Sequence, residues 1–349
     1  MILYNPPAVC YHLNVSSSES FSAPRGPIRF EIFPSPVCLS AILLMMVSCG
    51  GRSFKEGVVS QWSVGPLAGK QDLLSVAMID PMVGWAVGDM EPGPTGGVIY
   101  KTTDGARTWR PVSRVSEILA SVHFASASVG WVAGHGGRIE RTDDGGATWK
   151  PQRVEREAEI LNSIYFIDDR LGWVAGGGGL VLRTSNGGQT WDIIRTGRSE
   201  DLWSVRFISP LKGWIVGEGG LILSTTDGGL TWNQGVSGVT RALLGLALDR
   251  AGSIVAVGES GTILRSVGGD AWARVESGTS ENLNAASSAG SELFWCVGAR
   301  GISLQSSDGG VTWKAAAPLT TRDLLAIDVV TPGRGVAVGQ KGFTQVLGQ

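Results

Sequence analysis

From Val58 to the C-terminus, apolar residues come in runs of four or five, and the residues between the runs are mostly Gly, Asp, Asn, Ser and Thr. Ser163–Ile167 (SIYFI), Gly172–Gly176 (GWVAG), Leu180–Arg183 (LVLR) and Thr190–Ile194 (TWDII) are consecutive examples. Runs of this length bounded by turn residues predict short β-strands joined by tight turns. No segment after residue 58 keeps apolar residues at i, i+3, i+4 and i+7, and the Gly density would break a helix there. The pattern predicts an all-β fold.

The runs also repeat. A Thr-Trp or Ala-Trp pair places its Trp at 109, 149, 191, 232, 272 and 313, a step of 40 to 42 residues. In the same phase a W-x-x-G pattern starts at Trp85, Trp131, Trp173, Trp214 and Trp295, with Val255 and Val336 in the Trp place of two more copies. Its glycines, Gly88, Gly134, Gly176, Gly217, Gly258, Gly298 and Gly339, count seven units. Four antiparallel strands in about 40 residues make a propeller blade, because one such sheet cannot bury both faces until neighbours stack on it. A seven-bladed β-propeller over residues 58–349 is expected.

The turn from third to fourth strand reads S/T-x-D-x-G-x-T-W, an Asp-box. Examples are Thr142-Asp-Asp144-Gly-Gly146-Ala-Thr148-Trp149 and Thr225-Thr-Asp227-Gly-Gly229-Leu-Thr231-Trp232. Further copies centre on Asp104, Asn186 and Asp308, while unit five is a residue shorter and displaces its acid to Asp270. The Asp or Asn and the hydroxyl suit a hairpin turn, Gly takes a positive φ without steric cost, and the Trp is expected to fill the gap between blades. Each box offers one carboxylate where a hard cation takes six to eight oxygens, so no metal is expected.

The two ends complement each other. After its W-x-x-G mark the seventh unit has only Gly342–Leu347, with no Asp-box or outer strand. Val58–Leu67 (VVSQWSVGPL), ahead of unit one, resembles Thr312–Leu319 in carrying a Trp and a later Pro-Leu. This N-terminal strand should complete blade seven and remove the exposed sheet edges of an open array.

Composition adds little against this: 51 Gly, 13 Trp and 17% charged residues suit many short strands. A net charge of -2 supplies no field for nucleic acid, which is excluded as an expected partner. The first 49 residues differ. Arg25 and Arg29 precede Val37–Val47 (VCLSAILLMMV), too short to cross a bilayer as an ordinary helix but suited to the apolar region of a signal peptide. It runs into Met46-Val47-Ser48-Cys49-Gly50, which resembles a bacterial lipobox and predicts acylation of Cys49. An ordinary signal peptide or an uncleaved anchor fits the same stretch. Residues 1–49 are read as leader and signal peptide, and 50–57 as a linker. Cys296, in the apolar run Phe294–Gly298, reads as core packing.

From Val58 onward, the in-phase GW-x-x-G and Asp-box marks resemble the photosystem II stability/assembly factor family, and the lipobox-like leader resembles that of its cyanobacterial members. That resemblance implies a non-catalytic, monomeric propeller without a cofactor, exported and held to the membrane by its lipid. It would lie in the thylakoid lumen if the host is oxygenic and on a periplasmic or other extracytoplasmic face otherwise. It also implies a protein partner, a membrane-protein subunit bound during assembly, and a basic surface patch for it.

In-phase basic residues are present just before the Asp-box: Lys101, Arg141, Arg183 and Arg265, replaced by Ser224, Gln305 and Gln345 in the other units. They are candidate partner-binding residues on one face. As solvated strand ends they would tolerate exchange within about 0.5 kcal/mol. Acidic residues recur at the entry to the first strand, Asp72, Glu117, Glu159, Asp201, Glu281 and Asp323, on the opposite face. Blade one alone has a long second turn, Asp89–Gly96, that could protrude as a contact loop.

Asp-box propellers include sialidases and other glycosidases, so a sialidase-like hydrolase is the alternative. It would need a Tyr nucleophile, a carboxylate acid/base and arginines converging on the funnel. After residue 58 the tyrosines are Tyr100, on a third strand, and Tyr165, whose alternation fits either core or channel lining. His123 and His135 are too few for a histidine metal site, and no catalytic residue is assigned.

Overall fold

The computed structural model describes residues 61–66, 68–89, 96–152, 154 and 160–348. These form seven four-stranded antiparallel sheets arranged as the blades of a propeller. Blade three is representative: Leu161–Phe166, Gly172–Gly176, Leu180–Thr184 and Asp192–Arg195 pair in chain order. Blade seven is the exception. Its sheet contains Leu324–Thr331, Arg334–Gly339 and Thr344–Leu347, and its outer strand is Trp62–Val64, paired with Leu347, Val346 and Gln345. The closure expected from the sequence is therefore present. The leader, the linker, Cys49, the long turn of blade one from residue 90 to 95, and Glu159 lie outside the described residues.

The core is not one mass. It divides into seven layers, each built from two adjacent blades. Trp131, Ala133 and Ile139 of blade two pack with Leu161, Ile164, Phe166 and Leu182 of blade three, and the last layer joins Ala326, Val336 and Val338 of blade seven to Leu73 and Val98 of blade one. A blade thus buries each face only against a neighbour, which is why the ring must close.

The W-x-x-G mark has two functions in this packing. The Trp at its start is 0 or 1% exposed in all five copies. Trp85, Trp131 and Trp173 stack on Phe124, Phe166 and Phe207 of the next blade with centroids 3.4 to 3.5 Å apart. The closing Gly admits a carbonyl: a Cβ on Gly134 would lie 2.0 Å from Ile118 O, so no side chain fits there. The Asp-box tryptophans, expected to fill the inter-blade gap, are only half-buried. Trp149, Trp191 and Trp232 instead lean edge-on against the Phe of their own blade, with centroids 5.8 to 6.0 Å apart. The second-strand Trp takes the gap because it projects from the middle of the sheet, whereas the box Trp sits at the outer hairpin.

A bulge recurs in all seven first strands between the first and third residues, as at Leu161/Ser163 and Leu202/Ser204. It breaks the period-two alternation, so the second and fifth residues of the strand both point away from the core. In blades two, three and four those strands are buried at residues one, three, four and six and half-buried at two and five. The first strands line the central channel, and this repeated bulge decides which side chains enter it.

Candidate functional site

Three sets of side chains were candidates: the box face, the opposite face and the channel. On the box face the turn consumes its own acid. Asp144 accepts from Thr148 N at 2.9 Å and Thr148 Oγ1 at 2.6 Å, and Thr142 Oγ1 donates to it at 2.8 Å. The same bonds form around Asp104, Asp227 and Asp308. Those donors, the Thr231 hydroxyl foremost, lower the Asp227 carboxyl to about 2. With both oxygens occupied, the box carboxylates are turn components.

The in-phase cations span the seams between blades. Lys101 Nζ donates to Gly145 O at 2.7 Å, Arg141 Nη1 to Gly187 O at 3.0 Å, Arg183 Nε to Gly228 O at 2.9 Å and Arg265 Nε to Gly309 O at 2.6 Å. Each acceptor is a glycine of the next blade's Asp-box. Trp131 and Trp173 send their indole N–H to the same Gly187 and Gly228 carbonyls, and Lys101 and Arg141 lie over the Trp85 and Trp131 rings at 5.1 and 5.3 Å. Two of the substitutions follow the acceptor, since Ser224 precedes the shortened box of blade five and Gln305 precedes blade seven, which has no box, whereas Gln345 precedes the intact box of blade one and donates back to Ser303 Oγ of blade six at 3.1 Å.

These side chains are half-buried clasps and not solvated strand ends. Arg183→Ala should therefore lower stability by about 1–2 kcal/mol, as loss of a charged hydrogen bond does. Chemical denaturation checks this, and a change under about 0.5 kcal/mol would mark an ordinary surface position.

The acidic series does the equivalent work on the opposite face. Gly178 N donates to Asp201, Arg300 N to Asp323 and Lys341 N to Asp72, at 2.8 to 2.9 Å, each across a seam. Asn282 accepts from Ser260 N in the same way. The four donors all have positive φ, so the next blade's acceptor supports a strained turn. Glu117 and Glu281 instead pair with Arg138 and Arg300.

Sequence reasoning did not assemble the channel. The fifth residues of the first strands include His123, Tyr165, Arg206, Ser287 and Asp328, and they line a cavity of about 410 Å³. Most reach the sixth residue of the next blade: His123 Nε2 lies 2.7 Å from Phe166 O, Tyr165 Oη donates to Phe207 O at 3.0 Å, and Ser287 Oγ accepts from Val329 N at 3.0 Å. Asp328 makes the closing joint, accepting from Met78 N of blade one at 2.7 Å. The available signal was phase: each of these polar residues occupies one register of the repeat.

Burial, and then the Arg206 cation, hold the His123 imidazole down at about 4, so it is neutral at pH 7. Burial raises Asp328 from 3.8 to about 6 in spite of its donors. The folded protein thus holds this proton more tightly than the unfolded chain, and stability falls as pH climbs from about 4 through 6. Asp328→Asn removes that dependence. The stability difference should move in the variant's favour by about 2–3 kcal/mol between pH 4 and 7, read from denaturation at each pH. A gap independent of pH would refute this.

Cys296 is fully buried and its thiol is pushed upward by burial, consistent with core packing.

Residues 112–199, which include blades two and three, match the family described as photosynthesis system II assembly factor YCF48. The resemblance seen in the sequence holds there. No curated protein matches the chain. Among solved structures, YCF48 bound to D1 peptide aligns with a TM-score of 0.69 at 20% identity, over 82% of this chain and 97% of that one. YCF48 from Cyanidioschyzon merolae aligns at 0.66 and 19%, over 82% and 98%. The GH74 xyloglucanase from Xanthomonas campestris aligns at 0.64 and 12%, over 81% of this chain and 53% of the enzyme. At these identities the structural likeness shows the propeller fold.

Proposed function

We propose that this chain is an exported, non-catalytic binding propeller, similar to the photosystem II assembly factors, that holds a segment of a membrane-protein partner during assembly. The observation that carries the reading is the alignment over nearly all of a YCF48 that was solved with a D1 peptide, together with the family match at residues 112–199. The glycosidase reading is weaker, since the chain spans only about half of the xyloglucanase. The two carboxylates on the channel wall are also committed to backbone donors, Asp328 to Met78 N and Asp249 to Ala251 N, Ser253 N and Glu292 N.

The box face suits an extended partner segment. Lys101, Arg183 and Arg265 each use one donor on a seam carbonyl and keep others, and exposed Leu211, Leu230, Val267 and Val311 stand among the boxes. A lipid on Cys49 would hold this monomeric propeller at the membrane where such a partner is inserted.

Crosslinking followed by recovery from solubilised membranes tests the reading. Wild type should retain a membrane-protein subunit, and Val267→Glu with Val311→Glu should lose it at an unchanged melting temperature, because both positions are exposed. Intact mass should show a diacylated N-terminal Cys49. Recovery unaffected by the pair moves binding off this face. No partner, with cleavage of a glycoside instead, overturns the proposal.

A further inference from the structure

Arg206 is the fifth residue of the first strand of blade four, Leu202–Phe207, where the bulge turns residues 203 and 206 to the channel. It borders both the cavity of about 410 Å³ on the box side and a second of about 110 Å³ toward the opposite face, so it stands at the waist between them. Among the described residues it forms no ion pair. Its guanidinium donates from Nη1 to Val205 O at 2.8 Å and lies over the Tyr165 ring at 5.7 Å. The remaining N–H groups have no protein acceptor.

Asp328 does not bind it directly. That carboxylate belongs to a blade three positions around the ring and is held by Met78 N, so it acts on Arg206 only through its charge across the cavity and forms no ion pair with it. His123 and Tyr165 direct their polar atoms to the Phe166 and Phe207 carbonyls.

The same strand contributes a second orphan donor. Trp203 lines the smaller cavity with Arg206, and its Nε1 is buried without an acceptor. The amides beside it are already engaged, Asn162 Nδ2 with Leu202 O and Asn284 Nδ2 with Leu324 O. A half-buried guanidinium that lines the channel without an ion-pair partner is open to an anion, and its planar fork fits two oxygens of one such anion. The Trp203 ring is part of this cavity's wall, and its buried indole N–H requires one oxygen acceptor.

We propose that the channel waist is a binding site for the oxyanion of a small ligand, a carboxylate or phosphate group held by the Arg206 guanidinium with the Trp203 indole N–H as second donor. The site is independent of the partner face described above. The group can belong to a free metabolite or to a larger molecule reaching down the channel.

Titration of the purified protein with acetate and with inorganic phosphate, at ionic strength fixed with chloride, tests the site. Calorimetry and the indole N–H resonance of Trp203, assigned by its absence in Trp203→Phe, provide two readouts. At least one anion should bind saturably and shift that resonance. Arg206→Gln should weaken binding at least tenfold, and Trp203→Phe several-fold.

Arg206→Lys keeps the charge without the fork and should retain weakened binding, which guards against a Gln variant that fails to fold. The ligand that copurifies, released by denaturation and identified by mass, distinguishes a free metabolite from a group on a larger molecule. Absence of saturable binding by either anion, or equal affinity in wild type and Arg206→Gln, overturns the proposal.

Discussion

Deletion of residues 61–66 should leave a protein that aggregates, or melts on the order of 10 °C earlier, because the ring can no longer close. The segment contributes the outer strand of blade seven, with Gly65 N donating to Thr344 O at 2.9 Å, Ala68 N just beyond it to Gly342 O at 3.0 Å, and Thr344 Oγ1 to Pro66 O at 2.6 Å. Without it the buried strand Thr344–Leu347 becomes a free edge with unpaired backbone groups, the type of surface that recruits other chains. Trp62 is also lost from the layer that holds Trp295, Val329 and Leu347. This half-buried Trp is worth less than the roughly 3–5 kcal/mol of a core Trp, but with the lost strand pairing added a total of about 3 kcal/mol corresponds to a shift of about 6–12 °C in a domain of this size. Scanning calorimetry with light scattering gives the answer. An unchanged, monodisperse melt would mean that blade seven is complete without this strand.

The second large effect is expected at the second-strand tryptophans. Trp173→Ala should destabilise the fold by about 3–5 kcal/mol, since the ring is 0% exposed, stacks on Phe207 at 3.4 Å and donates to Gly228 O at 2.9 Å. Trp232→Ala, at a half-buried box position of the next blade, should cost clearly less. The comparison by urea denaturation is direct, because both side chains touch the same Phe207 ring from two blades. Equal losses, or a larger loss at Trp232, would return the inter-blade gap to the box tryptophans.

Most of the architecture was legible in the sequence because it repeats. Seven W-x-x-G glycines counted the blades, and the Trp of Val58–Leu67 matched Trp313 closely enough to place the closing strand. What the sequence concealed is what happens between units. The phase of Lys101, Arg141 and Arg183 was visible, but their acceptors are backbone carbonyls of the following blade, which no side-chain pattern records. The acidic entries Asp72, Asp201 and Asp323 hide their partners for the same reason, since these are N–H groups of turns with positive φ. Tyr165 stayed undecided between core and channel because a bulge two residues earlier shifts the alternation by one, and a bulge has no side chain to announce it. Arg206, Asp328 and His123 share a register yet differ in chemistry, so they do not align as a motif.

The strand that closes the ring also orders events in time. Ser63 Oγ bonds Val346 O across 283 positions of chain, so the first strand of the propeller to be synthesised must wait for the last. Contacts this remote form late and slowly. Until the C-terminal strand emerges, six blades can stack while the seventh remains open, exposing apolar surface of the type that makes folding intermediates of large proteins associate. A chain cut short near Thr344 cannot rescue itself by local folding, since the missing strand leaves both ends of the sequence without a partner. Completion of synthesis and completion of the fold are therefore one checkpoint, and truncated products should be cleared by proteolysis while full-length chains survive.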